Sequence, residues 1–415
     1  MCQQKNEYTI EKSTILSEND SILAKDPFLK GESNFSINCI EYAPKIFSFL
    51  REIDDVSLPS IIQSLLLMSN GQGIQKSAGR SNSFFISTDD KQLILKTISP
   101  RDAKLLCDGL LEKMSEHFIT HKDSIISRLY GLYELKIPTG IFTEDQIFFI
   151  LMKNVYGTFS KNVLCKYDLK GSTLNREVKV DIGNADTEVL KDINFKEMEN
   201  NTLLINDETK NKLNTTTAND ALLLANLGIM DYSLLVVKIT VNKDESRELF
   251  GKHYRRQTEK EYTDRLGLNV SMKSEEEERK EVEEDEHSET NMENIRFDLD
   301  KVKNLRKYIY PSLYIGQAYI IAIIDFFQLY DFQKKMETGF KMIKAEKNAI
   351  SSMNPNDYFS RFIAYVTNIT NGKCELQRRE SHSSQKNKDT ILAISEVSRE
   401  DEEDSRQDEE EEDTK

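Results

Sequence analysis

Ile229-Met230-Asp231-Tyr232-Ser233-Leu234-Leu235-Val236 is the stretch on which the fold turns. A short apolar run follows one carboxylate, as expected of a buried strand with a polar mouth. A second stretch repeats the idea in reverse: Ile320-Ile321-Ala322-Ile323-Ile324-Asp325-Phe326-Phe327 ends an apolar run on an acid. A carboxylate next to a buried strand is costly unless it is paired or used. If the two strands are neighbours, Asp231 and Asp325 face one site. One acid would then orient or deprotonate a hydroxyl, and the other would bind a divalent cation. Two ordinary helix caps after buried strands would produce the same pattern.

Working outward, residues 233–239 and 318–325 read as the two strands, separated by a charged, Glu-rich insert over about 241–300. The middle of that insert has the composition of a disordered or extended helical segment. Upstream, 218–227 reads as a short helix. Lys166 to Lys170 and Ile147 to Met152 read as strands. Residues 101–118 read as one helix with Ala103, Leu106, Leu110 and Met114 on a single face, and Phe84 to Ile98 as a hairpin turning at Asp89-Asp90-Lys91. From Ser36 to Met68 the spacing predicts helix, with Ile46, Phe47, Phe49 and Leu50 and then Ile61, Ile62, Leu65 and Leu66 grouped. Residues 1–34 read as a polar lead-in. A final amphipathic helix begins near Pro355, and the tail from about 371 has the composition of a solvated, unstructured segment.

Three more segments carry candidate chemistry. Gly79-Arg80-Ser81-Asn82-Ser83 is a small-residue loop before the hairpin, and Lys96 lies on the hairpin's second strand. Backbone N–H groups at Gly79, Ser81 and Ser83 can cradle phosphates, and Lys96 can pair with them. An ordinary turn has the same composition. Tyr167-Asp168-Leu169-Lys170-Gly171-Ser172-Thr173, with Arg176 beyond, ends a strand in a glycine turn, where Lys170 and Arg176 can hold phosphate. A charged strand end at the surface is the plainer reading. His117 and His121 share a helical spacing, which reads as a solvated face rather than a metal site.

Whole-chain properties narrow the classes. The five cysteines are scattered and never form C-x-x-C, which argues against disulfides or structural zinc and for a reducing compartment. The longest apolar run, Tyr319 to Ile324, is far too short to span a bilayer, and no signal pattern opens the sequence, so a soluble or membrane-peripheral protein is expected. The formal charge is −15, but residues 275–289 and 400–413 carry −8 and −10, which leaves +3 for the rest. The slightly basic body could approach anionic lipid or nucleic acid, and the two acidic blocks would repel either. The body lacks the aromatic-basic platform of a nucleic-acid binder, so no nucleic acid is expected.

Taken together, these segments resemble the phosphatidylinositol phosphate kinase family. The resemblance runs from Glu41-Tyr42-Ala43-Pro44 through the hairpin and Lys96, the strings 167–173 and 230–235, Ala322 to Asp325, and Asn354-Pro355-Asn356-Asp357-Tyr358 with Arg361-Phe362. It implies an α+β, two-lobed fold distantly related to protein kinases and built on antiparallel sheets. A small lobe would cover about 36–155 and a large lobe about 156–370. It implies ATP and magnesium as cofactors. Lys96 would meet the ATP phosphates, Asn154 and Val155 the adenine, Asp325 the metal, and Asp231 the inositol hydroxyl. The substrate would be a phosphatidylinositol monophosphate in an anionic membrane, met at the cytoplasmic face of the plasma membrane. A homodimer and protein regulators are among the expectations.

The segment 331–353 matches the family's activation loop, which meets the membrane and selects the substrate. Lys334-Lys335, Glu337 and Lys341 fit type I members, which are 5-kinases. Tyr330-Asp331 looks more like type II, which are 4-kinases. The loop residue favours type I, with type II as the alternative. Two departures from the family pattern, Asn82 for a second glycine and Lys104 for the helix glutamate that meets Lys96, support a third reading: a weakly active lipid-binding scaffold. Asp102 or Glu112 could replace that glutamate.

Overall fold

A computed structural model describes residues 5–12, 35–66, 74–76, 83–138, 144–179, 188–251, 304–314, 316–330 and 354–371. Twelve strands among them form two sheets. The first has seven: β1 (Lys5–Lys12), β2 (Phe35–Tyr42), β3 (Ile74–Lys76), β4 (Phe84–Ser87), β5 (Leu93–Ile98), β6 (Leu129–Pro138) and β7 (Glu144–Lys153), in the order β1-β2-β6-β7-β5-β4-β3. Every neighbouring pair is antiparallel. The second has five: β8 (Val163–Leu169), β9 (Val189–Leu190), β10 (Ser233–Thr240), β11 (Ile309–Pro311) and β12 (Gln317–Ile324), in the order β11-β12-β10-β8-β9, with only β8 and β9 parallel. The expected α+β fold on antiparallel sheets is therefore present.

The helices sit where apolar side chains recur at helical spacing. α1 (Pro44–Ile53) and α2 (Leu58–Leu66) follow β2, and α1 buries Ile46, Phe47 and Leu50. α3 (Pro100–Leu105) opens with a capping box, in which Ser99 and Asp102 each bond the other's backbone N–H. α4 (Leu111–Thr120) follows, then α5 (Asp192–Met198), α6 (Asp207–Asn226), α7 (Lys243–Phe250) and α8 (Pro355–Asn371). α8 turns Tyr358, Phe362, Val366 and Ile369 inward and packs on α6, where the Thr370 hydroxyl lies 3.1 Å from Asn214 Oδ1.

Several expectations change. The helical reading of Ser36 to Met68 fails at its start, because Phe35–Tyr42 is strand β2, in which Ile40 is buried while its neighbours Cys39 and Glu41 are only partly so, as in a half-buried strand. Lys5–Lys12 of the lead-in is an edge strand paired along its length with β2. The 101–118 helix is broken by a π-type turn at Leu106–Leu110, where Gly109 has φ +120°, open to glycine and hardly to other residues. All four expected core residues are still buried. The 218–227 helix is the end of the longer α6, and the insert begins as α7. The rest of the insert, residues 252–300, and the tail from 372 lie outside the described residues.

The lobes meet in two ways. β7 ends at Lys153 and β8 begins at Val163, so residues 154–162 are the covalent crossing between sheets. A second seam runs beside β12: Ser127 N–H donates to the Ile323 carbonyl at 2.9 Å, and Ile323 N–H donates to Ile125 at 2.8 Å.

Candidate active site

Register decides which motifs meet. Ser233 pairs with Ile324 and Leu234 with both Ile323 and Leu169. Asp231, just before β10, Asp325, just after β12, and Lys170, just after β8, therefore emerge at the same end of the second sheet. Both acids adopt left-handed backbone, φ +65° at Asp231 and +59° at Asp325. For a non-glycine residue that conformation is uncommon, and aspartate tolerates it better than most. Tyr358 holds the segment from behind by donating its hydroxyl to the Tyr232 carbonyl.

From the first sheet, Lys96 on β5 crosses the cleft. Its ammonium lies 2.6 Å from Asp325 Oδ1 and over the rings of Phe85 and Phe327. Burial in the cleft pushes the Asp325 carboxyl upward, but Lys96, with Lys170 behind it, outweighs this and holds it below the ordinary carboxylate value. The Asp325 side chain still keeps 46% of its surface open, whereas Lys96 keeps 9%, so a ligand entering the cleft reaches the acid first.

The expected carboxylate partner for Lys96 on the following helix is absent. Lys104 is exposed, Asp102 is used in the α3 cap and Glu112 faces solvent. The proposed replacement by Asp102 or Glu112 is therefore corrected: Lys96 pairs with Asp325 instead.

Lys170 extends along the same floor. Its ammonium donates to the Asp231 carbonyl at 2.7 Å and to its Oδ1 at 3.0 Å. Arg176 takes a different place from the one expected. It is buried, with Nε on Asp192 Oδ2 at 2.6 Å and Nη2 on both the Asp168 carbonyl and its Oδ1, the latter at 2.9 Å. A guanidinium committed to two carboxylates is not an open phosphate ligand.

At the crossing between lobes, Asn154 and Val155 are buried, and Asn154 N–H donates to the Gln92 carbonyl at 3.0 Å. Asn154 Oδ1 is buried and has no hydrogen-bond partner among the described residues. Ser83 is buried at the start of β4, while Gly79, Ser81 and Asn82 lie outside the described residues, as do Lys334, Lys335, Glu337 and Lys341.

His117 is corrected too: it is buried, its Nε2 2.6 Å from Asp220 Oδ1 on α6, a partner too distant in sequence to anticipate. Among the described residues no group of three His, Cys, Asp or Glu forms a metal site, and Cys39, Cys107 and Cys165 form no disulfide. No helix among them is long and apolar enough to cross a membrane.

Sequence reasoning missed Asp192. It sits in the first turn of α5, where an acid normally reads as complementing the helix dipole. Nothing local marks it.

Lys96 of the first sheet thus meets Asp325 of the second, and Asp231 with Lys170 emerges at the same end of that second sheet. The sequence profile described as Phosphatidylinositol-4-phosphate 5-Kinase matches residues 71–369, and the chain belongs to that family. A Dictyostelium discoideum protein named as a phosphatidylinositol phosphate kinase is 28% identical over 359 residues, which cover 79% of this chain and 47% of that one. A Plasmodium falciparum protein named Phosphatidylinositol 4-phosphate 5-kinase is 27% identical, with 79% of this chain aligned to 18% of its length. The mouse protein named Phosphatidylinositol 5-phosphate 4-kinase type-2 beta is 29% identical over 354 residues, 79% of this chain and 76% of that one. The chain thus spans about half of the first relative and about a fifth of the second.

Proposed function

We propose that this protein transfers the γ-phosphoryl group of ATP to a ring hydroxyl of a phosphatidylinositol monophosphate. The observation that carries this is the convergence of Lys96, Asp325, Asp231 and Lys170 on one cleft from two sheets. Phosphoryl transfer needs positioning and charge neutralisation rather than covalent help from the protein. Asp231 orients the attacking hydroxyl and takes its proton. Lys96 neutralises the nucleotide phosphates, and Asn154 with Val155 receives the adenine at the hinge.

Magnesium fits the residues present. It asks for hard oxygen ligands and takes most of them from phosphates and water, so one half-open carboxylate such as Asp325 is a sufficient protein anchor. Bound there, the metal would neutralise the phosphates.

The 4-phosphate lipid is the favoured substrate and phosphatidylinositol 4,5-bisphosphate the product. Support comes from Glu337 beside Lys334-Lys335 in the sequence. The 5-phosphate lipid is the alternative, in keeping with Tyr330-Asp331. We place the reaction on the cytoplasmic leaflet of the plasma membrane, where such lipids are met. The scaffold reading draws on the missing helix glutamate.

The test is to supply each monophosphorylated lipid with labelled ATP and identify the product isomer. Asp231→Asn and Asp325→Asn should each lower turnover by at least about 100-fold. Lys96→Met should cripple ATP use. Full turnover in all three variants would show that the site is wrongly assigned, and no turnover in the unmodified protein would leave the scaffold. Glu337→Ala should move preference toward the 5-phosphate lipid, and an unmodified protein that already prefers that lipid would reverse the subtype.

A further inference from the structure

We propose that Asp192 is a positioning residue for this reaction, acting through the loop 170–172 on the lysine that grips Asp231. The inference rests on the functional reading of Asp231 given above.

Asp192 is buried and does two things at once. Its Oδ1 accepts the backbone N–H groups of Lys170, Gly171 and Ser172 at 3.0, 2.8 and 3.4 Å. Its Oδ2 accepts Arg176 Nε at 2.6 Å. Consecutive N–H groups aimed at one point make an anion cradle. Here the protein's own carboxylate fills the cradle, so the turn that looks fit for a phosphate is already occupied. A lipid phosphate at Arg176 would also meet two carboxylates, Asp168 and Asp192, that already hold the guanidinium.

The loop is fixed from its other side by α8. Arg361 Nη2 reaches the Lys170 carbonyl at 3.3 Å. Gly171 has φ +65°, and a Cβ there would lie 2.8 Å from Tyr365 Cβ. With its backbone pinned on both faces, residue 170 can present its side chain in one direction. The ammonium then bonds both the carbonyl and the carboxylate of Asp231, which holds that residue in its left-handed conformation. Loosening Asp192 releases the loop, then the lysine, then the acid. Arg176 belongs to the same clamp.

Two readings of the clamp separate cleanly in steady-state kinetics. A group that positions the catalytic acid affects turnover, and a group that binds ground-state lipid affects KM. Purified full-length Asp192→Asn should be assayed on vesicles carrying phosphatidylinositol 4-phosphate, with ATP and magnesium. We expect kcat to fall about 10- to 100-fold, the scale of an ångström-sized misplacement. The KM values for lipid and ATP should move less than about threefold. Arg176→Lys keeps the charge but loses the two-pronged geometry, and it should show the same split; it carries the test if Asp192→Asn does not fold. A tenfold rise in lipid KM with kcat retained would overturn the proposal in favour of a lipid-phosphate site, and unchanged kinetics would overturn it outright. Asp231→Asn run in parallel separates the layers. Full turnover in Asp231→Asn removes the functional reading itself. Loss there with full kcat in Asp192→Asn removes only the positioning role.

Discussion

Three residues at the cleft, Asp231, Asp325 and Gly171, share a left-handed backbone. For the two aspartates this conformation aims the carboxylates off the ends of β10 and β12, into the space that Lys96 and Lys170 enter. The acids and Lys96 stand out in the sequence because each borders an apolar run, a local pattern. Asp192 and the true role of Arg176 do not, because their partners lie 8 to 22 residues away and only the fold joins them. Gly171 gives the sharpest residue-level prediction. Alanine there is strained twice, by φ and by the approach of Tyr365. The left-handed penalty alone is about 1–2 kcal/mol. Gly171→Ala should lower the unfolding free energy measured in urea by at least that much and reduce turnover beyond what the unfolded fraction explains. Unchanged stability and turnover together would show that α8 yields easily at Tyr365.

At the scale of elements, a buried ion network ties α1 to both sheets. Asp54 caps the C-terminus of α1, a poor place for a carboxylate facing the helix dipole. It is held there by Arg128 Nε at 3.3 Å, the Tyr130 hydroxyl at 3.0 Å and Lys307, from the large lobe, at 2.6 Å. Burial drives the Asp54 carboxyl upward, but Arg128 and Lys307 more than offset it and hold it below its usual value. Removing one partner of a buried network leaves uncompensated charge, so Asp54→Ala should cost about 3–5 kcal/mol. A loss under about 1 kcal/mol would mean that water reaches Arg128 and Lys307 freely.

The same network predicts a pH dependence. Burial, then Arg128, depress the Lys307 ammonium to about 8, although Asp54 pulls the other way. Between about pH 8 and the ordinary lysine value near 10.5, the unfolded chain binds more protons at this residue than the folded one. Its contribution to stability therefore rises with pH across that window. Urea midpoints at pH 7.5 and 9.5 should show this gain in the parent and a smaller one in Lys307→Met; equal gains would sink it. None of this network was read from sequence. β6, which supplies Tyr130, was not anticipated, because Tyr130-Gly131-Leu132 interrupts the alternation on which a strand reading depends. β2 was taken for helix because its apolar residues run on into those of α1.

On the scale of the whole molecule, the order of motifs along the chain was readable because each lobe is a contiguous piece built around its own sheet. What sequence could not give was the seam between them, made by backbone pairing of Ile125 and Ser127 with Ile323 and by Lys96 reaching Asp325. Charge, by contrast, is a property of the whole chain and remains legible. The two acidic blocks hold −18 between them, so any approach to an anionic bilayer must be led by a locally basic segment. The segment 331–353 qualifies: Lys334, Lys335, Lys341 and Lys344 fall in it, with Phe332, Phe340 and Met342 interleaved. It joins Tyr330, near the floor of the cleft, to Pro355 at the start of α8, so a membrane contact there would bring lipid to the candidate site. Basic residues near an anionic leaflet contribute about 1 kcal/mol each, and apolar side chains among the headgroups add to that. Against this stand Glu337 and the entropy of ordering the segment. Lys334→Glu combined with Lys335→Glu reverses the sign of the pair and should release the protein from anionic vesicles at low salt. The parent should lose its binding as salt rises, because the attraction is screened over about a Debye length. Activity on vesicle-borne lipid should fall with binding, while activity on a short-chain soluble lipid falls much less. Equal sedimentation of parent and double variant at both salt concentrations would leave the segment without a membrane role and make its charge run an ordinary solvated one.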